Sequence, residues 1–205
     1  MDETRMRCEL LSWEECYRLV RKLAWMLREE EFQPDIIVAI ARGGYFAARV
    51  LSDHLGVFDL DSIRIEHYQG TSRGHAARVR YPLSAAIGGK RLLLVDDVSD
   101  SGDTFAVAMA HLRQHGEPLQ LRTAVMHHKS SSAYVPDYRA AELGEWRWLI
   151  YPWAAIEDLS ALLHAMQPPP RSVRAFAEAL RQRHGVVVPP QTLEDVVTLN
   201  HGSMK

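Results

Sequence analysis

The chain predicts an α/β fold: a mostly parallel, twisted sheet flanked by helices, with a small C-terminal appendage. Three observations carry that expectation. Short apolar runs of strand length alternate with amphipathic stretches of helix length between residues 12 and 166, as in a largely parallel sheet. Each segment rich in glycine, hydroxyls or charge follows directly on one of the apolar runs, and ligands of such sheets bind at the carboxyl ends of strands. A Pro168-Pro169-Pro170 break then divides residues 1–167, expected to form the principal domain, from a tail over 168–205 expected to be a helical appendage.

The elements follow in order. Residues 12–31 read as an amphipathic helix, because Leu19, Leu23, Met26 and Leu27 recur at helical spacing and Ser12 with Glu15 makes a capping box. Residues 35–41 are a short β-branched run, hence a buried strand. Residues 43–55 read as a helix stopped by Gly56. Residues 62–68 alternate Ile63, Ile65 and His67 with polar residues, as a half-exposed strand does. The polar stretch 69–82, with Gly70, Gly74, Arg73, Arg78 and Arg80, reads as a long mobile loop. Residues 91–96 are the central strand and 105–115 a helix. Gly116 and Pro118 end that helix before the next strand at 120–126; 146–151 gives another, and 157–166 a helix. In the tail, Val173, Phe176 and Leu180 suit one helix face, 186–188 a short strand, and 191–199 a last helix.

Composition narrows the function classes. The 205 residues are 47% hydrophobic and 24% charged, ordinary for a soluble globular protein. A net charge of −2 supplies no general attraction to nucleic acid, which is not expected as a partner. Cys8 and Cys16 make neither a disulfide framework nor a zinc pattern, so a reducing compartment is expected. No apolar run approaches the roughly 18 residues of a membrane span. The opening Met-Asp-Glu-Thr-Arg does not read as a signal peptide. A cytoplasmic location without membrane association is the expectation.

The chemistry concentrates in Arg91-Leu-Leu-Leu-Val-Asp96-Asp97-Val-Ser99-Asp100-Ser101-Gly102-Asp103-Thr104. An apolar strand ends in two adjacent carboxylates, a hydroxyl- and glycine-containing loop follows, and a helix begins. The loop amides and the helix N-terminus form an anion site, to which Ser99, Ser101 and Thr104 add hydroxyl donors. Four aspartates in the same segment would repel a bare phosphate. A sugar phosphate resolves the conflict: amides and hydroxyls take its phosphate, while Asp96 and Asp97 face ribose hydroxyls or a bound Mg²⁺. There is no G-x-x-x-x-G-K-[ST], so the loop is not a P-loop. An EF-hand read from Asp97 would put Ala108 where a bidentate Glu is needed. A helix cap accounts for one or two polar residues, not seven in nine positions. A second strand runs into Arg42-Gly43-Gly44, where two glycines let backbone N–H groups approach a ligand and Arg42 adds an anion partner.

The segment 92–104 resembles the 5-phosphoribosyl-1-pyrophosphate (PRPP) motif of type I phosphoribosyltransferases. The resemblance spans roughly residues 30–160 and leaves 168–205 without a counterpart. It implies that family's fold and a homodimer. It makes 99–104 the 5′-phosphate loop, Asp96 and Asp97 the partners of the ribose diol or Mg²⁺, and Asp100 the general base or acceptor at purine N7–H. Arg42-Gly43-Gly44 becomes the pyrophosphate loop, with a non-proline cis peptide at Arg42–Gly43. Residues 69–82 become a lid shielding an oxocarbenium-like centre from water, with Tyr68, Ser72, Arg73 and Arg78 as pyrophosphate contacts.

Bacterial xanthine–guanine phosphoribosyltransferases are similar further on. They carry a Lys after a strand, then a Trp-Ile pair and a Pro-Trp, as Lys129, Trp148-Leu149 and Pro152-Trp153 stand here. By that resemblance Lys129 donates to the 6-oxo group, Trp148 stacks on the base, the Leu149 backbone contacts its edge, and Trp153 is among the base-binding residues. Ala154 departs from the pattern, because it replaces the acid that recognises the 2-position; Glu157 and Asp158 are the acids nearest in sequence. The implied activity is Mg²⁺-dependent transfer of ribose 5-phosphate from PRPP to hypoxanthine, guanine or xanthine in purine salvage. The competing readings are a regulatory or RNA-binding module on the same fold, and a transferase for another base such as a pyrimidine. The aspartate pair, the lid and Lys129 count against the first; the Lys129…Trp148 spacing counts against the second.

Overall fold

The computed structural model describes residues 6–69 and 75–201. Two compact units divide the chain: Cys16–Trp146, and Met1–Glu15 together with Arg147–Lys205. The division expected at residue 168 is therefore not where contacts thin out. Phe176, Leu180 and Val196 of the tail share one buried cluster with Ile150, Leu159 and Leu163, so the tail is packed into the unit that holds those earlier residues.

The unit Cys16–Trp146 is built on a six-stranded sheet. Its strands are β2 (Ile36–Ala41), β3 (Leu60–Gln69), β4 (His75–Tyr81), β5 (Arg91–Ser99), β6 (Gln120–Lys129) and β7 (Tyr138–Leu143), in the spatial order β4-β3-β2-β5-β6-β7. All neighbours run parallel except the β3–β4 hairpin. β2 is buried along its whole length, which is why its sequence is a continuous apolar run rather than an alternating one. Ile36, Val38 and Ile40 of β2 and Leu92 and Leu94 of β5 pack in one cluster with Phe105, Ala108 and Leu112 of helix α3 (Asp103–His115). Helix α1 (Trp13–Glu29) begins where expected, with Ser12 Oγ accepting from the Glu15 N–H (3.1 Å). Helix α2 (Tyr45–Leu55) ends at Gly56, whose φ of 66° is the left-handed cap that glycine favours.

Two expectations fail here. The stretch 69–82 is not one long loop: His75–Tyr81, half of it, is β4, paired antiparallel with β3 from Arg64↔Tyr81 to Gln69↔His75. Ala77 and Val79 pack against the core while Arg78 and Arg80 are exposed, a period of two that the arginines disguise. Charge on such an outer strand also discourages edge-to-edge pairing. β7 escaped the sequence reading because Tyr-Arg-Ala-Ala-Glu-Leu contains no β-branched residue, although Tyr138, Ala140 and Leu143 are buried.

In the other unit, β1 (Cys8–Leu10) and β8 (Trp148–Ile150) form a two-stranded parallel sheet. Helices α4 (Ala155–Ala165), α5 (Val173–His184) and α6 (Pro190–His201) complete it. β1 is only three residues long, too short for periodicity to show. Ser172 caps α5 by accepting from the Ala175 N–H, and Gly185 ends it at φ 69°. His184 Nδ1 lies 2.7 Å from the Met6 carbonyl, and Asn200 Nδ2 donates to Ser160 Oγ, so both tail helices are tied to earlier segments. The strand expected at 186–188 is absent. Val186 and Val188 do point inward and Val187 outward, but no described segment pairs with them.

Phe176 is fully buried in this unit's cluster. Phe176→Ala should destabilise that unit by about 3–5 kcal/mol through lost burial and the cavity left behind. Urea unfolding of the variant beside the parent measures it, and a shift below 1 kcal/mol would show that the tail is not part of a cooperative core.

Candidate active site

The spatial order of the large sheet reverses between β2 and β5. From β2 the chain passes through α2 to β3 on one side, and from β5 through α3 to β6 on the other. The crevice at the carboxyl ends of those two strands is where ligands of open α/β sheets bind. The loops that fill it are Arg42-Gly43-Gly44 and the Asp96–Thr104 segment.

Asp96 closes the continuous buried run of β5, a strand that extends on to Ser99, and Asp97 is half-buried. The Asp97 N–H donates to Asp96 Oδ1 at 2.9 Å. Burial first, and the neighbouring Asp97 charge second, push the Asp96 carboxyl well above the ordinary carboxylate range. Against this pair lies the glycine loop. A Cβ on Gly43 would land on the Asp97 carboxylate, and one on Gly44 would lie 2.8 Å from the Ile40 carbonyl, so both positions need glycine for close approach. The Gly44 N–H donates to the Ile40 carbonyl (2.9 Å), and Arg42 is exposed. A non-proline cis peptide is present, but at Ala41–Arg42, one residue before the expected Arg42–Gly43. The chain turns at the last residue of β2 itself.

The loop after β5 is braced by the segment after β6. Ser99 is buried, and its hydroxyl meets Ser132 Oγ (2.8 Å) and the Tyr134 carbonyl (3.1 Å). Its side chain thus holds the loop together instead of presenting a donor to a ligand. The Ala133 N–H donates to the Ser101 carbonyl (2.9 Å), and the Tyr134 ring stacks on Phe105 at 4.7 Å between centroids. Gly102 precedes α3 at φ 96°, and a Cβ there would sit 2.7 Å from Tyr134 N, so two constraints demand glycine at once. No side chain of the Gly102 cap position bonds the first turn of α3. Ser101 Oγ instead accepts from the Asp103 N–H (3.3 Å) and donates to Asp103 Oδ2 (2.8 Å). Thr104 stands half-buried in the first turn.

Asp100 and Lys129 meet. Lys129 Nζ donates to Asp100 Oδ2 at 2.6 Å, with the lysine side chain only 3% exposed. Trp146 completes the group: its indole N–H donates to Asp100 Oδ1 (3.1 Å), and Lys129 Nζ lies 4.4 Å from its ring centroid. The sequence reading passed over Trp146 because Trp148, two residues on, matched the resemblance. Three tryptophans within eight residues gave no way to tell which would reach Lys129.

The remaining expected residues are distributed as follows. Trp148, Leu149 and Trp153 belong to the unit Met1–Glu15 with Arg147–Lys205: Leu149 is buried in β8, Trp148 is half-buried, and Trp153 stacks on Tyr151 at 4.8 Å. Ala154 is the cap residue of α4, with Glu157 and Asp158 in its first turn. Ser72 and Arg73 lie outside the described residues, as does the side chain of Tyr68; Arg78 is exposed on β4. Cys8 offers no nucleophile. Burial and the charge of Asp158 push its thiol up to about 11, so it stays protonated at neutral pH.

The phosphoribosyl transferase domain family matches residues 7–153. The chain belongs to that family. A xanthine-guanine phosphoribosyltransferase of Idiomarina loihiensis is 30% identical over 144 residues, covering 70% of this chain and 84% of that protein. A purine phosphoribosyltransferase structure from Pyrococcus horikoshii superposes with a TM-score of 0.64 at 32% identity, over 72% of this chain and 94% of that one. A xanthine-guanine-hypoxanthine phosphoribosyltransferase of Helicobacter pylori, at 18% identity and TM-score 0.62, shares the fold over 76% of this chain and 99% of its own. The expected α/β fold and type I family membership are borne out. The family match starts at residue 7 and so takes in β1 and α1, which the resemblance over 30–160 had left out.

The raised Asp96 value fixes a pH dependence. The folded protein holds this proton more tightly than the unfolded chain, so the stability associated with it is complete below about pH 4, the ordinary carboxylate value. It is lost as pH rises through the raised folded value. Asp96→Asn should therefore be more stable than the parent at pH 8 and converge with it near pH 4. Urea unfolding at the two pH values checks this, and an equal or smaller stability of the variant at pH 8 would contradict burial as the cause.

Proposed function

We propose that the protein transfers ribose 5-phosphate from PRPP to a 6-oxopurine base, releasing pyrophosphate, in purine salvage. One observation carries this reading: at the switch point, the glycine loop after β2 seats directly against the aspartate pair near the carboxyl end of β5. A site for pyrophosphate and a site for a ribose diol then adjoin, as the C1 pyrophosphate and the neighbouring C2 and C3 hydroxyls of PRPP require. The named relatives act on xanthine, guanine or purines generally, which agrees with this substrate class.

Each residue has a part. Residues 99–104 would take the 5′-phosphate through backbone N–H groups and Thr104 at the start of α3, with Ser99 and Ser101 holding the loop's shape. Arg42, Gly43 and Gly44 would bind pyrophosphate. Asp96 and Asp97 would face the ribose diol or Mg²⁺. Among the described residues no cluster of three His, Cys, Asp or Glu could hold a metal alone. That suits Mg²⁺, which takes much of its shell from substrate and water and needs only one or two carboxylates. When bound there, Mg²⁺ would offset the charge of the departing pyrophosphate.

The purine N9 would displace pyrophosphate at the ribose carbon, and Asp100 would accept the proton at N7. Asp100 already receives one bond at each oxygen, and each oxygen retains a second lone pair for that purpose. Lys129, held beside Asp100, would donate to the 6-oxo group. No covalent nucleophile is required, because positioning and electrostatics can carry the step. Trp148, Leu149 and Trp153 remain proposed contacts of the base, and Tyr68, Ser72, Arg73 and Arg78 proposed contacts of pyrophosphate.

We further propose a cytoplasmic homodimer. A two-fold pair is the commonest assembly of soluble proteins, and no helix among the described residues is long and apolar enough to cross a membrane. Sedimentation at micromolar concentration should give the dimer mass, and a monomer with and without PRPP would refute it.

Turnover with PRPP, Mg²⁺ and each of four bases tests the function. Lys129 can donate to a 6-oxo group but cannot accept from a 6-amine, so hypoxanthine should far outrun adenine. Ala154 removes a contact to the 2-position worth on the order of 1–3 kcal/mol, so hypoxanthine should equal or exceed guanine and xanthine in kcat/KM. Asp96→Asn with Asp97→Asn should abolish turnover in a folded protein. Adenine as the best substrate would overturn the role of Lys129, and near-normal turnover in the folded double variant would overturn that of the aspartates.

A further inference from the structure

We propose that Trp146 is a specificity-determining positioning residue of the base site, acting through Asp100 and Lys129. The inference rests on the transferase reading above and adds a residue to it.

The three side chains form a closed triangle. Asp100 takes the ammonium of Lys129 on Oδ2 and the indole N–H of Trp146 on Oδ1. The same ammonium sits over the Trp146 ring, 4.4 Å from its centroid, within the range of a cation–π contact. Each side reaches the group from a different element: Asp100 from the turn after β5, Lys129 from the last position of β6, and Trp146 from the segment after β7.

The physical need for the third member lies in the other two. Lys129 is held by burial, at 3% exposure, but the Asp100 side chain is 39% exposed and stands in a turn. A carboxylate bonded through one oxygen still rotates about its terminal bond and swaps oxygens. Bonding both oxygens to donors of different kinds stops that rotation and fixes the directions of the remaining lone pairs. The indole face also covers one side of the ammonium, which restricts the directions in which it can donate.

The result is a fixed order of acceptor beside donor, Asp100 beside Lys129. A 6-oxopurine with its proton on N7 presents the complementary order, donor beside acceptor. A 6-aminopurine presents donors at both positions and finds the ammonium opposed to its amine. Without Trp146, Asp100 could turn away or leave Lys129, and the order that separates the two classes would blur.

Two variants divide the roles. Trp146→Phe keeps a ring over Lys129 but removes the N–H; Trp146→Leu removes both. Loss of one hydrogen bond to a charged group corresponds to about tenfold. In Trp146→Phe the KM for hypoxanthine should rise about that much, with the KM for PRPP and the urea midpoint unchanged. The preference for hypoxanthine over adenine should narrow by a similar factor, and Trp146→Leu should go further. Calorimetry with hypoxanthine alone gives a readout independent of turnover: its affinity should fall about tenfold in Trp146→Phe, while that of adenine should not. Should Trp146→Phe not fold, the same calorimetry on Trp146→Leu decides, with a fall at least as large expected. Unchanged hypoxanthine affinity and KM in a folded variant, from a parent that is active, overturn the inference alone. Equal rises in both KM values overturn it in favour of a general structural role. A parent that neither binds nor turns over any purine removes the transferase reading, and the inference with it.

Discussion

β2 and β5 lie side by side and parallel, with Ile36 to Ala39 in register with Leu92 to Val95, yet their chains leave the sheet in opposite directions. That divergence opens a crevice at the carboxyl ends of the strands, and nothing between the two departing loops can fill it except the loops themselves. The closeness of the register then makes the glycines obligatory. With the strands one sheet spacing apart, a side chain at position 43 would displace the Asp97 carboxylate, and one at 44 would collide with the strand backbone. The glycines of the first loop and the acids of the second are thus one constraint seen from two strands.

The same constraint explains why an acid is held where an acid is unfavourable. Asp96 continues a strand whose preceding residues, Leu92 to Val95, are wholly buried, and it inherits their burial. Together with the Asp97 charge this raises its carboxyl and opposes folding at neutral pH. A cation or the hydroxyls of a bound sugar would relieve that opposition, so ligand binding and the ionisation of the pair are thermodynamically linked. A raised carboxyl of this kind beside a second acid agrees with the binding role proposed for the pair.

The parts legible in the sequence were those whose signal is local. An uninterrupted apolar run gave β2 and β5, a 3.6-residue period gave α1, and the Asp96-to-Thr104 string gave the adjacent acids and the tight loop that leads into α3. What stayed hidden depends on partners far along the chain. β4 reads as a basic loop until β3 lies beside it, since Ala77 and Val79 are too small to outweigh its two arginines in a propensity count. β7 is a strand because β6 offers an edge, not because its alanines prefer extension. Ser99 looked like a phosphate donor, yet Ser132 and Tyr134, more than thirty residues away, claim its hydroxyl. Trp146 was invisible for the same reason, since its partner at Asp100 is 46 residues distant.

Those long-range contacts share one feature: the segment 129–146 supplies nearly all of them. From it Ser132 and Tyr134 brace the phosphate loop, Lys129 and Trp146 clamp Asp100, and the Tyr134 ring covers Phe105 at the start of α3. The loop that would hold the 5′-phosphate and the residue that would receive the purine proton are therefore set by one neighbouring segment. Sugar phosphate and base must be aligned to within a fraction of an ångström for the ribosyl carbon to meet the purine nitrogen. Bracing both sites from the same stretch of chain makes an error in one an error in the other, so their relative placement is preserved even where their absolute positions shift. That argues for reading residues 129–146 as the spine of the site, although most of its members would touch neither substrate.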